Sequence, residues 1–143
     1  MKFIDKKTRC DWIKDHSLYL HYHDEEWGVP IYDDHKLFEL LVLESAEAGL
    51  SWLTILKKRA NYRLAYDNFD PEKVACYDSK KEEELMMNAG IIRSKAKIIS
   101  SVQNARKFLE IQKQYDSFSN YIWGYTGQQP ILNNWNTSEE VPS

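Results

Sequence analysis

Within the first 32 residues, Trp12, Tyr19, Tyr22, Trp27 and Tyr32 stand among Cys10, His16, His21 and His23. Electron-rich ring faces attract planar cations by about 0.5–2 kcal/mol per contact, and thiol and imidazole groups bind metals. The same residues equally suit an aromatic core segment, and composition alone does not separate the two.

Glu44 is the second candidate. On a helix, Leu37 lies about 20° from it, Leu40 and Ala48 about 40° and Leu41 about 60°. The spacing therefore predicts that Glu44 points with an apolar stripe. A carboxylate so placed takes an ion-pair or cap partner, shifts its pKa, or serves a ligand. Glu39, about 140° round the same helix, reads as ordinary. In Ala48-Gly49-Leu50-Ser51-Trp52, Gly49 reads as a point of close backbone approach and Leu50 as the tip of a tight turn. Trp52 starts the next helix, so these residues could form one wall of a pocket.

Basic side chains gather in two windows. Lys57, Lys58, Arg59 and Arg63 lie in a stretch with no acid, and Arg93, Lys95, Lys97, Arg106 and Lys107 lie in an acid-free run from Leu85 to Leu109. Such runs are either solvated helix faces or a local polyanion surface on a protein of net charge −3. The segment from Leu85 to Ile98 reads as helix, glycine stop at Gly90, apolar pair Ile91-Ile92, then a new helix start. Gly90 would permit a left-handed turn, and the next helix N-terminus, with Arg93, Lys95 and Lys97, could hold a phosphate without reading bases. A glycine-capped helix followed by a basic one is also simply common.

The elements that must position these residues are helices. Residues 1–32 show no sustained period and predict short helical turns. Asp33 or Asp34 caps a buried helix that ends at Gly49, and Ser51 caps a second that runs to about Tyr66. Asn68 to Pro71 breaks the chain, and Asp70-Pro71 starts a short helix. Ser79-Lys80-Lys81-Glu82 has capping-box spacing, Ser94 caps a longer helix striped by Ile98, Val102, Ala105 and Leu109, and a last helix covers about Phe118 to Trp123. The expected domain is 1–132, with the aromatic segment 1–32, the hairpin 80–110 and a polar tail 133–143.

The 143 residues suffice for one core and exclude two large domains. Five glycines and four prolines are too few for a turn-rich all-β chain. No run approaches the roughly 18 apolar residues of a membrane helix, and the start Met1-Lys2-Phe3-Ile4-Asp5 lacks a signal-peptide core. A cytoplasmic protein with no membrane association and no evident protein partner is expected, its two cysteines, Cys10 and Cys76, reduced.

Four ordered motifs resemble the bacterial 3-methyladenine DNA glycosylase I family. They are Arg9-Cys10-x-Trp12; Leu18-Tyr19-x-x-Tyr22-His23-Asp24-x-Glu26-Trp27-Gly28-Val29-Pro30; Leu43-Glu44 with Ala48-Gly49-Leu50-Ser51-Trp52 and Leu56-Lys57-Lys58-Arg59; and Ala89-Gly90-Ile91-Ile92-Arg93 with Lys97-Ile98. The resemblance implies an all-α helix-hairpin-helix glycosylase that releases free 3-methyladenine from alkylated double-stranded DNA. It implies that Glu44 contacts the extruded base and that Trp12, Tyr19, Tyr22, Trp27 and Trp52 line its pocket. Gly49, Leu50 (as wedge), Gly90, Arg93, Lys95 and Lys97 would meet DNA. It also implies structural zinc on Cys10 and His23 with a later His and Cys. The chain ends at Val141-Pro142-Ser143 before that second pair, so zinc is expected to be absent or weakly bound. The competing expectations are a DNA- or base-binding module without efficient chemistry, and an aromatic cage for some other cation or planar heterocycle.

Overall fold

A computed structural model describes residues 7–13 and 16–142; the N-terminal Met1 to Asp5 reading lies outside them. Seven α-helices follow one another among the described residues, α1 (Ser17–Glu25), α2 (Asp34–Glu47), α3 (Trp52–Ala65), α4 (Pro71–Ala75), α5 (Ser79–Met87), α6 (Lys95–Tyr115) and α7 (Phe118–Gly124), with no strand. The all-α expectation holds. No helix there is long and apolar enough to cross a membrane.

The local signals for most helix starts were read correctly. Asp33, Ser51, Asp70 and Ser94 each accept a backbone N–H from the first turn of α2, α3, α4 and α6. Two starts differ. Asp78, not Ser79, caps α5 by accepting from Lys81 N, which moves Ser79 inside the helix. The segment expected to make only short turns forms the nine-residue α1, capped by the His16 ring, which accepts from Leu18 N. None of its residues is fully buried, so an apolar period could not announce it.

The core is one cluster that includes Phe38, Leu43, Ile55, Tyr66, Phe69 and Phe108. The long α6 packs against α2, α4, α5 and α7 and serves as the central strut. Between α3 and α4, Asp67, Asn68 and Phe69 all take left-handed backbone angles (φ 48°, 55° and 57°). Burial of Phe69 and a 2.6 Å hydrogen bond from the Tyr77 hydroxyl to Asp67 hold that turn.

A second tie closes the far end. Asp34, in the first turn of α2, accepts from Phe118 N and Ser119 N (both 2.8 Å) and from Gln112 Nε2 (2.7 Å). It thereby caps α7 from another helix. The Trp123 indole donates to Ile31 O at 2.7 Å while its ring stacks on Tyr32 at 4.8 Å. Tyr32 thus belongs to this corner, apart from the other N-terminal aromatics.

Candidate base-recognition site

The rings of Trp12, Tyr19, Tyr22, Trp27 and Trp52 form one connected group. Trp12 is its hub, with centroids 5.4 Å from Tyr19, 6.5 Å from Tyr22 and 5.5 Å from Trp27. Tyr22 in turn lies 5.4 Å from Trp52. Tyr19 anchors α1 to the start of α3, its hydroxyl accepting from Leu53 N at 3.2 Å. Trp12 and Trp27 remain exposed, so the cluster is an open cradle rather than an enclosed cavity.

Glu44 corrects the helical-wheel expectation. α2 buries Phe38, Glu39, Val42, Leu43 and Ala46, and Glu44 lies on the exposed side, next to the half-buried stripe of Leu37, Leu40 and Leu41. Its carboxylate has no hydrogen-bond or ion-pair partner among the described residues. Partial desolvation and the neighbouring Glu47 charge raise its pKa. The Tyr22 phenol is pushed up as well, by burial first and then by Glu44 and Glu26. Glu44 and Tyr22 therefore share one electrostatic environment. Trp52, 8% exposed, has a buried indole N–H with no acceptor among the described residues. A buried donor left unsatisfied costs about 1–3 kcal/mol. An exposed, unpaired carboxylate thus acts on a phenol that belongs to the aromatic group, while the unmet indole donor of the same group lies buried; the exposed part suits a planar heterocycle with a donor on its edge.

The buried acid of α2 is Glu39, which the helix-period reading passed over. Its Oε1 accepts from Arg59 Nε (2.6 Å) and from Arg63 Nε (3.1 Å) and Nη2 (2.8 Å). Arg59 Nη1 also binds both oxygens of Glu26, at 2.9 and 2.7 Å. The network ties the chain just before Trp27 to α2 and α3. The i,i+4 spacing of Arg59 and Arg63 was the available signal. A cleft of about 460 Å³ opens beside this network, lined in part by Tyr32, Lys36, Glu39 and Arg63; Glu44 is not among its walls.

The two basic windows resolve differently from a uniform patch. Lys58 donates to Ala89 O, Arg106 to Ala75 O, and Lys107 pairs with Glu110. Lys97 donates to Ala46 O and Ala48 O, both at 2.7 Å. With Arg59 and Arg63 engaged as above, only Lys57, Arg93 and Lys95 of the nine keep side chains without a partner among the described residues. Arg93 and Lys95 flank the start of α6 and are exposed.

Gly49 ends α2 as expected, but its close-approach reading and the left-handed reading of Gly90 change places. Gly90 is not left-handed; a Cβ there would meet Asn61 Cβ at 3.0 Å, so it permits close approach of the turn to α3. The Tyr62 hydroxyl, which accepts from Ile92 N, and the burial of Ile91 fix the same turn. Gly49 has open space where a Cβ would be but sits at φ +77°, so it serves the turn's handedness. Leu50, next to it, is 44% exposed.

His23 Nδ1 is hydrogen-bonded to Asp24 at 2.9 Å and its ring stacks on Trp27. Arg9 grips the same Asp24 carboxyl, and the bonds from Arg9 and His23 hold it well below the usual carboxylate range. Cys10 is a free, half-buried thiol. Among the described residues no group of three or more His, Cys, Asp or Glu is placed to hold a metal ion. Cys10 and His23 supply two of the four ligands that a closed zinc site needs.

The geometry defines an all-helical fold among the described residues, with an open aromatic cradle and, at the start of α6, two exposed cations without a partner among those residues. The chain belongs to the methyladenine glycosylase family, whose profile matches residues 12–143. It is 43% identical over 136 residues to the DNA-3-methyladenine glycosylase of Haemophilus influenzae, covering 95% of this chain and 74% of that protein. It is similar to a crystal structure of 3-methyladenine DNA glycosylase I (TM-score 0.90, 42% identity, 94% of this chain and 74% of that one). A Tyr-to-Phe variant of such an enzyme, solved in complex with 3-methyladenine, also matches (TM-score 0.88, 39% identity, 90% and 69% covered).

Proposed function

We propose that this chain is a cytoplasmic bacterial DNA-3-methyladenine glycosylase acting in base-excision repair on alkylated duplex DNA. The observation that carries the reading is the exposed Glu44 carboxylate, unpaired among the described residues and acting on the Tyr22 phenol, together with the joined rings of Trp12, Tyr19, Tyr22, Trp27 and Trp52. An N3-methylated adenine in a nucleoside is cationic, so these rings and Glu44 favour it over neutral adenine. Extruding the nucleotide costs a few kcal/mol. Leu50, exposed at the tip of its turn, fills the vacated stack, and Arg93 and Lys95 with the backbone around Gly49 and Gly90 hold the strand.

Cleavage of the C1′–N9 bond leaves its electron pair on the base, which departs as neutral 3-methyladenine. Water adds at C1′ and releases a proton. Glu44 accepts from the base edge, and its charge stabilises the positive charge that grows on the sugar.

Single-turnover release of 3-methyladenine from methylated duplex DNA by wild type and Glu44→Gln tests the reading. We expect release by wild type and a loss of about 10²-fold or more in the variant. Equal rates and equal affinity for the free base would remove Glu44 from the site. Duplex binding without release by wild type would mark a non-catalytic binding module instead.

A further inference from the structure

The last turn of α2 is poorly suited to stand alone. It carries Glu44 and Glu47 and no basic residue, so two carboxylates sit at the negative end of the helix dipole. Partial desolvation and then the Glu47 charge raise the Glu44 pKa. Beyond it the chain turns sharply. Ala48 leaves helical geometry, Gly49 is left-handed, and Leu50 N donates back to Glu47 O. Four carbonyls at a helix C-terminus lack intrahelical partners and need donors from elsewhere. The missing cation comes from α6. Lys97 Nζ donates to Ala46 O and to Ala48 O, both at 2.7 Å, across 51 and 49 residues of sequence.

Lys97 occupies a second decisive position. Its own backbone N–H is the one that the Ser94 cap receives, so it lies in the first turn of α6, two residues beyond Lys95. One side chain thus joins the helix start that bears Arg93 and Lys95 to the helix end that bears Glu44 and the Gly49–Leu50 turn. We propose that Lys97 is a positioning residue rather than a phosphate contact. It locks the last turn of α2 to the first turn of α6, so that DNA held at the hairpin presents its base to Glu44 and Trp52 in register. This role in recognition rests on the glycosylase reading above; the coupling of the two helix ends does not.

The test uses the whole chain as Lys97→Met, which keeps the aliphatic stem, and Lys97→Arg, which keeps the charge. Amide hydrogen exchange reads the coupling without any ligand. Loss of two charge-assisted hydrogen bonds should speed exchange at Glu47 to Leu50 by about tenfold or more in Lys97→Met, with α3 and the centre of α6 unchanged. Lys97→Arg should restore most of the protection. Affinity for free 3-methyladenine, followed by tryptophan fluorescence, and single-turnover release from methylated duplex should each fall by about tenfold in Lys97→Met and recover in Lys97→Arg. The salt slope of binding to unmethylated duplex should stay at the wild-type value.

A slope lowered by about one phosphate contact, with exchange and base affinity unchanged, would overturn the proposal in favour of a direct DNA contact. Faster exchange spread evenly through the chain would overturn it too, because the role would then be general stability. If wild type itself neither binds nor releases 3-methyladenine, the glycosylase reading fails, while the exchange comparison still decides whether Lys97 couples α2 to α6.

Discussion

The Arg59 guanidinium meets the Glu39 carboxylate at 2.6 Å, and both side chains are largely shielded from solvent. Burial acts to raise the Glu39 pKa, but the hydrogen bonds from Arg59 and Arg63 outweigh it and leave it lowered. A lowered carboxylate pKa contributes stability that is present above the unfolded glutamate pKa, about 4.3, and lost as pH falls through the folded value. Glu39→Gln should therefore destabilise the protein by about 2–4 kcal/mol at pH 7, because two arginines lose their shared anion. In urea melts the gap from wild type should narrow steadily below about pH 4.3. A gap independent of pH would mean that packing, not charge, is what the substitution removes.

Asp34 supports a different joint. It accepts three hydrogen bonds, two of them from the first backbone N–H groups of α7. Asp34→Ala should cost about 2–3 kcal/mol, more than a surface cap, since it leaves two helix-start donors unmet at once. Trp123 lies on α7 and stacks on Tyr32 from the chain before α2, so the near-UV circular dichroism of that pair should weaken before the global transition. Retention of that signal up to the main melt would show that α7 is held chiefly by its apolar face.

What was legible in the sequence was local, and what was hidden was tertiary. Caps such as Ser51 and Ser94 act on amides two or three residues away, so the chain states them directly. At α5, Asp78 and Ser79 compete for one cap, and a single residue's shift decided it. α2 carries leucines nearly all round, so its 3.6-residue period put Glu44 on an apolar stripe that proves half-buried and left Glu39 off the buried side. Arginines 20 and 24 residues away made the choice. The basic windows failed as a uniform surface for the same reason. Lys58, Lys97 and Arg106 find backbone carbonyls on other helices, and no pattern of charges along the chain reveals an uncharged acceptor. Trp12, Tyr19, Tyr22 and Trp27 cluster in the chain as they do in space, but Tyr32 of the same stretch stacks on Trp123 and Trp52 joins the group from α3, which the chain order does not state.

The two glycines beside the site should respond differently to alanine. Gly49→Ala meets no atom and pays for its positive φ alone, about 1 kcal/mol, and Gly49→Asn should recover part of that because Asn tolerates the left-handed region. Gly90→Ala drives a methyl group against Asn61 and Asn88 side chains, so its cost should be relieved in the double variant Gly90→Ala, Asn61→Ala. Strictly additive melting shifts in that pair would show that Asn61 is not what the glycine makes room for.

Neutralising the cations should sort them by partner. Arg93 and Lys95 have no intramolecular partner among the described residues. Arg93→Gln and Lys95→Gln should each lower the salt slope of duplex binding by about 0.9. Lys58→Met and Arg106→Met should leave the slope alone and lower stability slightly, since their donors are spent on Ala89 O and Ala75 O. A slope that falls equally for all four would restore the broad basic face that the charge windows suggest.

Glu44 should show opposite effects on stability and recognition. Its raised pKa, caused by partial desolvation and then by Glu47, means that the folded state disfavours the charged form more than the unfolded chain does. The penalty is complete above the folded pKa and disappears below the unfolded glutamate value, about 4.3, where both states carry the proton. Glu44→Gln should accordingly melt slightly higher than wild type at pH 7 and match it near pH 3.5, while binding 3-methyladenine more weakly at pH 7. Because the group is largely exposed, screening by salt should shrink the stability gain but not the loss of binding, which comes from a short-range contact in which one acceptor oxygen becomes an NH2 donor. A variant that melts lower at pH 7 would show that the carboxylate is tied into the fold, contrary to its unpartnered position.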